Sequence, residues 1–135
     1  MITEKGIVKC QFFLQEAPLT CFNFIKLVNR QYFNHLIFHR VVPAFVAQDG
    51  DPTGTGSGGP GYTIRCEYNP IKYNQPGMVG MALTGKDTGG SQYFITHLAT
   101  PHLNHQYTIF ARVVSGMHIL STICQYDKIK QIILY

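Results

Sequence analysis

The chain is a succession of short segments rich in β-branched and aromatic residues, each cut off by glycine, proline or polar residues before it grows long. Residues 36–48, 62–66, 78–83, 92–97 and 107–114 have this character, which favours strands. Residues 6–14, GIVKCQFFL, alternate: Val8, Cys10, Phe12 and Leu14 share one face and Lys9 and Gln11 the other. That pattern predicts a half-buried strand. A last strand is expected over Lys128 to Leu134. Between these segments, Gly50 to Gly61 holds six of the 13 glycines together with Pro52 and Pro60, so the backbone there must be irregular. Gly85 to Gly90 reads as a loop, and Thr100-Pro101-His102-Leu103 as a tight connection.

Two stretches break the strand pattern. Glu16-Ala17-Pro18 suits a helix start, because proline is tolerated in a first turn. From Leu19 to Arg30, Phe22, Ile25 and Val28 recur every three residues, with Phe24 and Leu27 widening the apolar stripe. A second helix is expected after Ser115, where Met117, Leu120 and Cys124 fall at helical spacing. Many short strands with a helix near each end predict a mainly β fold, closed into a barrel so that no strand edge is left exposed.

With 135 residues the chain is read as a single domain spanning 1–135, and a chain of that length buries roughly 68% of its unfolded surface without staples. The net charge of +4 is spread from Lys5 to Lys130 with no basic run, so no nucleic-acid partner is expected. There is no apolar stretch of membrane-spanning length, and Thr3, Glu4 and Lys5 interrupt any signal-like opening. Cys10, Cys21, Cys66 and Cys124 lack CxxC spacing, which argues against a zinc or redox pair. Reduced, mostly buried thiols in a cytoplasmic monomer are expected. The abrupt start also fits a domain excised from a larger protein.

Several motifs fail on context. Gly54 to Gly59 matches GxGxxG, but Pro60, Gly61 and a strand follow where a dinucleotide site needs a helix. Gly85-Lys86 lacks the P-loop spacing. Asp49-Gly50-Asp51 starts like a calcium loop, but Pro60 stands at the bidentate glutamate position. A turn held by aspartate side chains is the better account. His35 and His39 carry no HExxH pattern, and Ser91 and Ser115 no GxSxG setting. Cys124 falls on the apolar stripe of the second helix, so it reads as packing. No metal and no cofactor are expected.

What remains is FHRVVPAFVAQDG at 38–50 and GMALTGKDTGGSQYFITH at 80–97. One fixed cation, two glutamines and a set of apolar side chains suit chemistry that breaks no covalent bond. Both stretches resemble the signature segments of the cyclophilin-type peptidyl-prolyl isomerases, and the likeness runs from about Thr3 to Leu134. The resemblance implies an eight-stranded antiparallel β-barrel capped by two α-helices. It also implies an enzyme that speeds rotation about Xaa–Pro bonds in peptides and unfolded proteins.

By the same resemblance Arg40 is the catalytic residue and Gln48 the glutamine that orients it. Phe45, Val46, Phe94 and Leu103 line the proline pocket, Val46 standing where methionine is common. Ala82 and Leu83 present backbone to the peptide, Leu83 replacing an asparagine. Gln92 is a further substrate-side glutamine. His102 stands where tryptophan is frequent, so cyclosporin binding is expected to be weak. Tyr107 stands where eukaryotic members have histidine, and Asp49 replaces a usual glycine. The alternative is a catalytically weak groove that holds proline peptides, motivated by Val46, Leu83 and His102.

Overall fold

A computed structural model describes all residues, Met1–Tyr135. In chain order the elements are β1 (Ile2–Thr3), β2 (Lys9–Phe12), α1 (Pro18–Asn29), β3 (Arg40–Val42), β4 (Val46–Asp49), β5 (Met78–Met81) and β6 (Tyr93–Thr96). A 3-10 turn (Pro101–Leu103), β7 (Ile109–Ser115), α2 (Met117–Leu120) and β8 (Ile129–Gln131) follow. The protein is mainly β with two helices, and no helix is long and apolar enough to cross a membrane.

The strands do not close into the expected barrel. Six form one antiparallel sheet in the order β2-β7-β5-β6-β4-β3, and β1 and β8 form a separate pair. The pair is tied towards both ends of the larger sheet by short bonds outside the ladders. Met1 and Val8 exchange backbone hydrogen bonds next to β2, and Phe38 bonds the backbone of Tyr126 and Asp127 next to β8. Positive-φ residues such as His35 and Tyr126 bend these connecting stretches, so isolated bridges replace continuous ladders there.

Alternation along the central strands sorts side chains onto two faces. Ala47 of β4, Val79 and Met81 of β5 and Tyr93 and Ile95 of β6 enter a 17-residue core with Cys21, Phe24, Leu27 and Val28 of α1. Phe24 stacks on Phe33 at 4.6 Å and meets Tyr93 edge-on at 5.2 Å. Their neighbours in sequence, Val46, Met78 and Phe94, join Tyr73, Leu103 and Ile109 in a second cluster of six on the opposite face. That second face carries the site.

Helix α1 buries Phe24, Leu27 and Val28 of the expected stripe but not its first member. Phe22 is 68% exposed, while Thr20, Cys21 and Asn23 are buried. Its first turn is capped by Glu67, whose carboxylate accepts from the N–H groups of Leu19 and Thr20 and from Thr20 Oγ1 at 2.7–2.9 Å. No side chain of the helix's own N-cap, Ala17, does this.

Residues 62–66 form no strand. Only Ile64 bridges Gly89, because Cys66 N–H turns to the Asp87 carboxylate and Glu67 N–H to Thr108 Oγ1 instead of a ladder. The second helix ends at Leu120, so Cys124 is exposed rather than packed. Of the four free thiols only Cys21 is buried; Cys10 and Cys66 are half-buried.

Candidate active site

The β3–β4 hairpin builds one wall. Its register sets Arg40 opposite Gln48 and Val42 opposite Val46. Since β4 pairs with β6, Gln48 also lies opposite Phe94. Two-residue periodicity therefore lines up Val46, Gln48 and Phe94 on one surface, while Ala47 and Tyr93 turn inward to the main core.

These side chains enclose a cavity of about 200 Å³. Phe45, Val46, Phe94, Leu103 and Tyr107 supply apolar walls, Ala82 and Leu83 a further side, and Arg40 and Gln48 the polar rim. Nine of the eleven residues named from sequence thus meet around one space. Gln92 lies just outside it, on an adjoining cleft of about 740 Å³ shared with Gln48, Ala82 and Leu83. His102 does not line the cavity; its exposed ring stacks on Phe45 at 5.6 Å, with 26° between the planes.

The aromatic floor is set by packing. Phe94 stands edge-on to Tyr107 at 5.6 Å and stacks on Tyr73 at 5.9 Å. Tyr73 is fully buried, its hydroxyl donating to Tyr107 O and its N–H to Asn104 Oδ1. Tyr73 was not visible as a site residue, since it sits in the polar stretch NPIKYNQP without periodic neighbours. Gly80 is required beneath it: a Cβ there would strike the Tyr73 hydroxyl and the Phe94 ring.

The polar rim is a chain of side-chain hydrogen bonds. Arg40 Nη1 donates to Gln48 Oε1 at 3.3 Å, and Gln48 Nε2 donates to Gln92 Oε1 at 3.0 Å. Gln92 Nε2 donates in turn to the carbonyls of Gly56 and Gly58, both at 2.9 Å. Arg40 is the one charged residue lining the cavity, and the chain's ion pair is Lys5 with Asp127. An arginine in a strand commonly pairs with a carboxylate; this one has amide partners only, so its charge is not neutralised by an acid.

Along the cavity edge, Ala82 N–H is taken by Gln92 O at 3.0 Å. The Ala82 carbonyl and both backbone groups of Leu83 make no hydrogen bond within the chain, which leaves them open to an extended peptide.

Two carboxyls behind the rim differ sharply. Asp49 follows Gln48 but faces inward, fully buried, with Oδ1 accepting from Gly50 N–H and Oδ2 without a partner. Burial pushes its carboxyl up to about 7. Asp51 is also buried. Burial would raise it, but hydrogen bonds from Thr53 and from backbone N–H groups of the glycine segment outweigh that and hold it down at about 2. His39, beside Arg40, keeps both ring nitrogens buried without a hydrogen bond, and burial lowers its pKa.

Comparison with known proteins gives the chain a family. Residues 1–132 match the family described as cyclophilin type peptidyl-prolyl cis-trans isomerase/CLD. The chain is 46% identical to peptidyl-prolyl cis-trans isomerase B of Bacillus subtilis over 134 residues, covering 98% of this chain and 93% of that protein. The crystal structure of a Cryptosporidium parvum cyclophilin type isomerase superposes with a TM-score of 0.92 at 34% identity, covering 97% of this chain and 92% of that one. A second structure of that protein, in the presence of the dipeptide Ala-Pro, gives 0.88 at 34% identity over 97% and 90%. With a family match over nearly its whole length and a relative of this identity, the chain belongs to the cyclophilin-type peptidyl-prolyl cis-trans isomerases.

Proposed function

We propose that this peptidyl-prolyl cis-trans isomerase acts at the cavity between β3, β4 and β6, with Arg40 as its catalytic group. An Xaa–Pro bond turns slowly because resonance makes C–N partly double, with a barrier of ~18–20 kcal/mol. Twisting the bond breaks that resonance and localises the lone pair on a more pyramidal proline nitrogen. A guanidinium aimed at this nitrogen stabilises the twisted state more than either planar one, which is transition-state binding. A thousandfold acceleration needs about 4 kcal/mol.

The observation that carries this reading is the position of Arg40. It is the only charge on a mostly apolar cavity of about 200 Å³, held by Gln48 and free of any acidic partner. Apolar surroundings strengthen a cation's field relative to water. Phe45, Val46, Phe94, Leu103 and Tyr107 hold the ring, while Ala82 and Leu83 offer open backbone to the segment before proline. Gln48 aims the guanidinium and Gln92 holds Gln48.

The substrates are proline-containing peptides and unfolded chains, taken by a single domain that needs no metal or cofactor for this step. His102 stacks on Phe45 with a smaller ring than tryptophan, which supports weak cyclosporin binding. The test is isomerisation of a short Ala-Pro peptide by wild type and Arg40→Ala side by side. Catalysis lost in a folded variant is the expected result; equal rates would overturn the role of Arg40. Peptide binding by the wild type without catalysis would favour a holding groove.

A further inference from the structure

The chain of hydrogen bonds that restrains Arg40 does not end at Gln92. Its last acceptors, the Gly56 and Gly58 carbonyls, belong to a segment with glycine at 54, 56, 58, 59 and 61. Such a segment is costly to order and has no ladder of its own. One buried side chain organises it. Asp51 accepts from Thr53 N–H and Thr53 Oγ1 at 2.8 Å each through Oδ1. Through Oδ2 it accepts from Thr55 N–H at 3.1 Å and Gly56 N–H at 2.5 Å. Gly58 packs so closely that a Cβ there would collide with Asp51 Oδ1.

A buried carboxylate with no cationic partner is normally a liability. Here four donors compensate it, and they all come from the segment that presents the two carbonyls to Gln92. Gly50, at φ +96°, lets Asp51 turn under the segment, and a Cβ there would strike the Ser91 carbonyl next to Gln92.

We infer that Asp51 is a positioning residue for catalysis: its carboxylate fixes the glycine segment, whose Gly56 and Gly58 carbonyls hold Gln92, which holds Gln48 and so the guanidinium of Arg40. Asp51 touches neither Arg40 nor the cavity. Its effect reaches the reaction only through the glycine segment, Gln92 and Gln48, and so falls on the orientation of Arg40 rather than on the apolar walls that grip the ring. The inference rests on the reading of Arg40 as the catalytic cation.

The test is a double-mutant cycle on the full chain with Asp51→Asn, Arg40→Ala and the pair. Exchange rates of a short Ala-Pro peptide are measured by NMR and its affinity by titration. Asn keeps the size of Asp but replaces an acceptor oxygen with an NH₂ that cannot receive these N–H donors. The expected result is a loss of rate of roughly tenfold, as for one charge-assisted hydrogen-bond link, with peptide affinity changed by less than about twofold. In the Arg40→Ala background Asp51→Asn then has no further effect, because the link it serves is gone.

Three results would overturn the inference: an unchanged rate in folded Asp51→Asn, losses that multiply in the double variant, or affinity falling in step with rate. If Arg40→Ala alone leaves the rate unchanged, the catalytic reading itself fails, which is a distinct outcome. Should Asp51→Asn not fold at the assay temperature, exposed Thr53→Val removes one donor to Asp51 and is read in the same cycle. A smaller loss that vanishes beside Arg40→Ala supports the inference; no loss, or one that persists there, overturns it.

Discussion

Arg40 and Gln48 are register partners across the β3–β4 hairpin, and the arginine donates to the glutamine at 3.3 Å while no carboxylate approaches it. The hairpin thus sets the guanidinium at the cavity lip without neutralising it. Removing one preorganised electrostatic donor typically costs ~100- to 1000-fold in rate. Arg40→Ala is expected to lower kcat/KM by that factor with an unchanged far-ultraviolet circular dichroism spectrum, since Arg40 is exposed and packs little. Arg40→Lys is expected to recover only a small part, because a point charge cannot keep the planar geometry.

The Gly80 position separates pocket shape from charge. Gly80→Ala would push its methyl into the Phe94 ring and Tyr73 hydroxyl. Overpacking of this kind costs about 1–3 kcal/mol of stability. The Phe94 ring is expected to be driven into the cavity, weakening Ala-Pro peptide binding by at least ~10-fold. Titration of the folded variant checks this, and wild-type affinity would mean that the floor can yield.

Glu67 is expected to matter for stability and not for catalysis. It caps the first turn of α1 from 47 and 48 residues away, and cap removal costs about 1–2 kcal/mol. Glu67→Ala should lower the denaturant midpoint by that amount, with kcat/KM within twofold at temperatures where it stays folded. Glu67→Gln, which keeps one acceptor oxygen, should lose less.

Asp49 gives stability a pH dependence of unusual sign. Its folded carboxyl lies at about 7, above the ordinary value of 3.8. Below that ordinary value both folded and unfolded chains hold the proton and nothing is lost. Between 3.8 and about 7 the unfolded chain has released it and the folded chain has not, so stability falls as pH rises. Above about 7 the loss levels off, at an order of 4 kcal/mol. Asp49→Asn should flatten the slope of unfolding free energy between pH 4 and about 7 and raise stability at pH 8. A wild-type curve flat in that window would rule the account out.

His102 lies flat over Phe45 and is exposed. A larger ring at the same place would extend the apolar wall, so His102→Trp is expected to tighten cyclosporin binding by ~10-fold, the scale of an added aromatic contact. Calorimetric titration of both proteins measures it. Equal affinities would show that the rim beyond Phe45 does not decide the matter.

The candidate site was legible through the resemblance of FHRVVPAFVAQDG and GMALTGKDTGGSQYFITH to the signature stretches of the family, since Phe45, Val46, Phe94 and Leu103 by themselves read as ordinary core. Strand alternation then puts Val46 and Phe94 on one face and Ala47 and Tyr93 on the other. Asp49 and Asp51 were visible as turn formers, and Asp51 does hold a turn. Tyr73 was not legible, because nothing in its neighbours shows that it will lie under Phe94.

The same boundary separates the rest. Sequence alone determined a mainly β chain of short strands, a helix from Leu19 to about Arg30 and an irregular glycine segment. These follow from dihedral preferences and from periodicity, which neighbours in the chain dictate. Tertiary structure decided that the sheet stays open, that α1 turns Phe22 to solvent, and that Cys124 lies outside the second helix. It also decided that Gln48 finds Gln92 44 residues on. Each of these turns on which distant donor meets which acceptor, and that is settled only when all segments are packed at once.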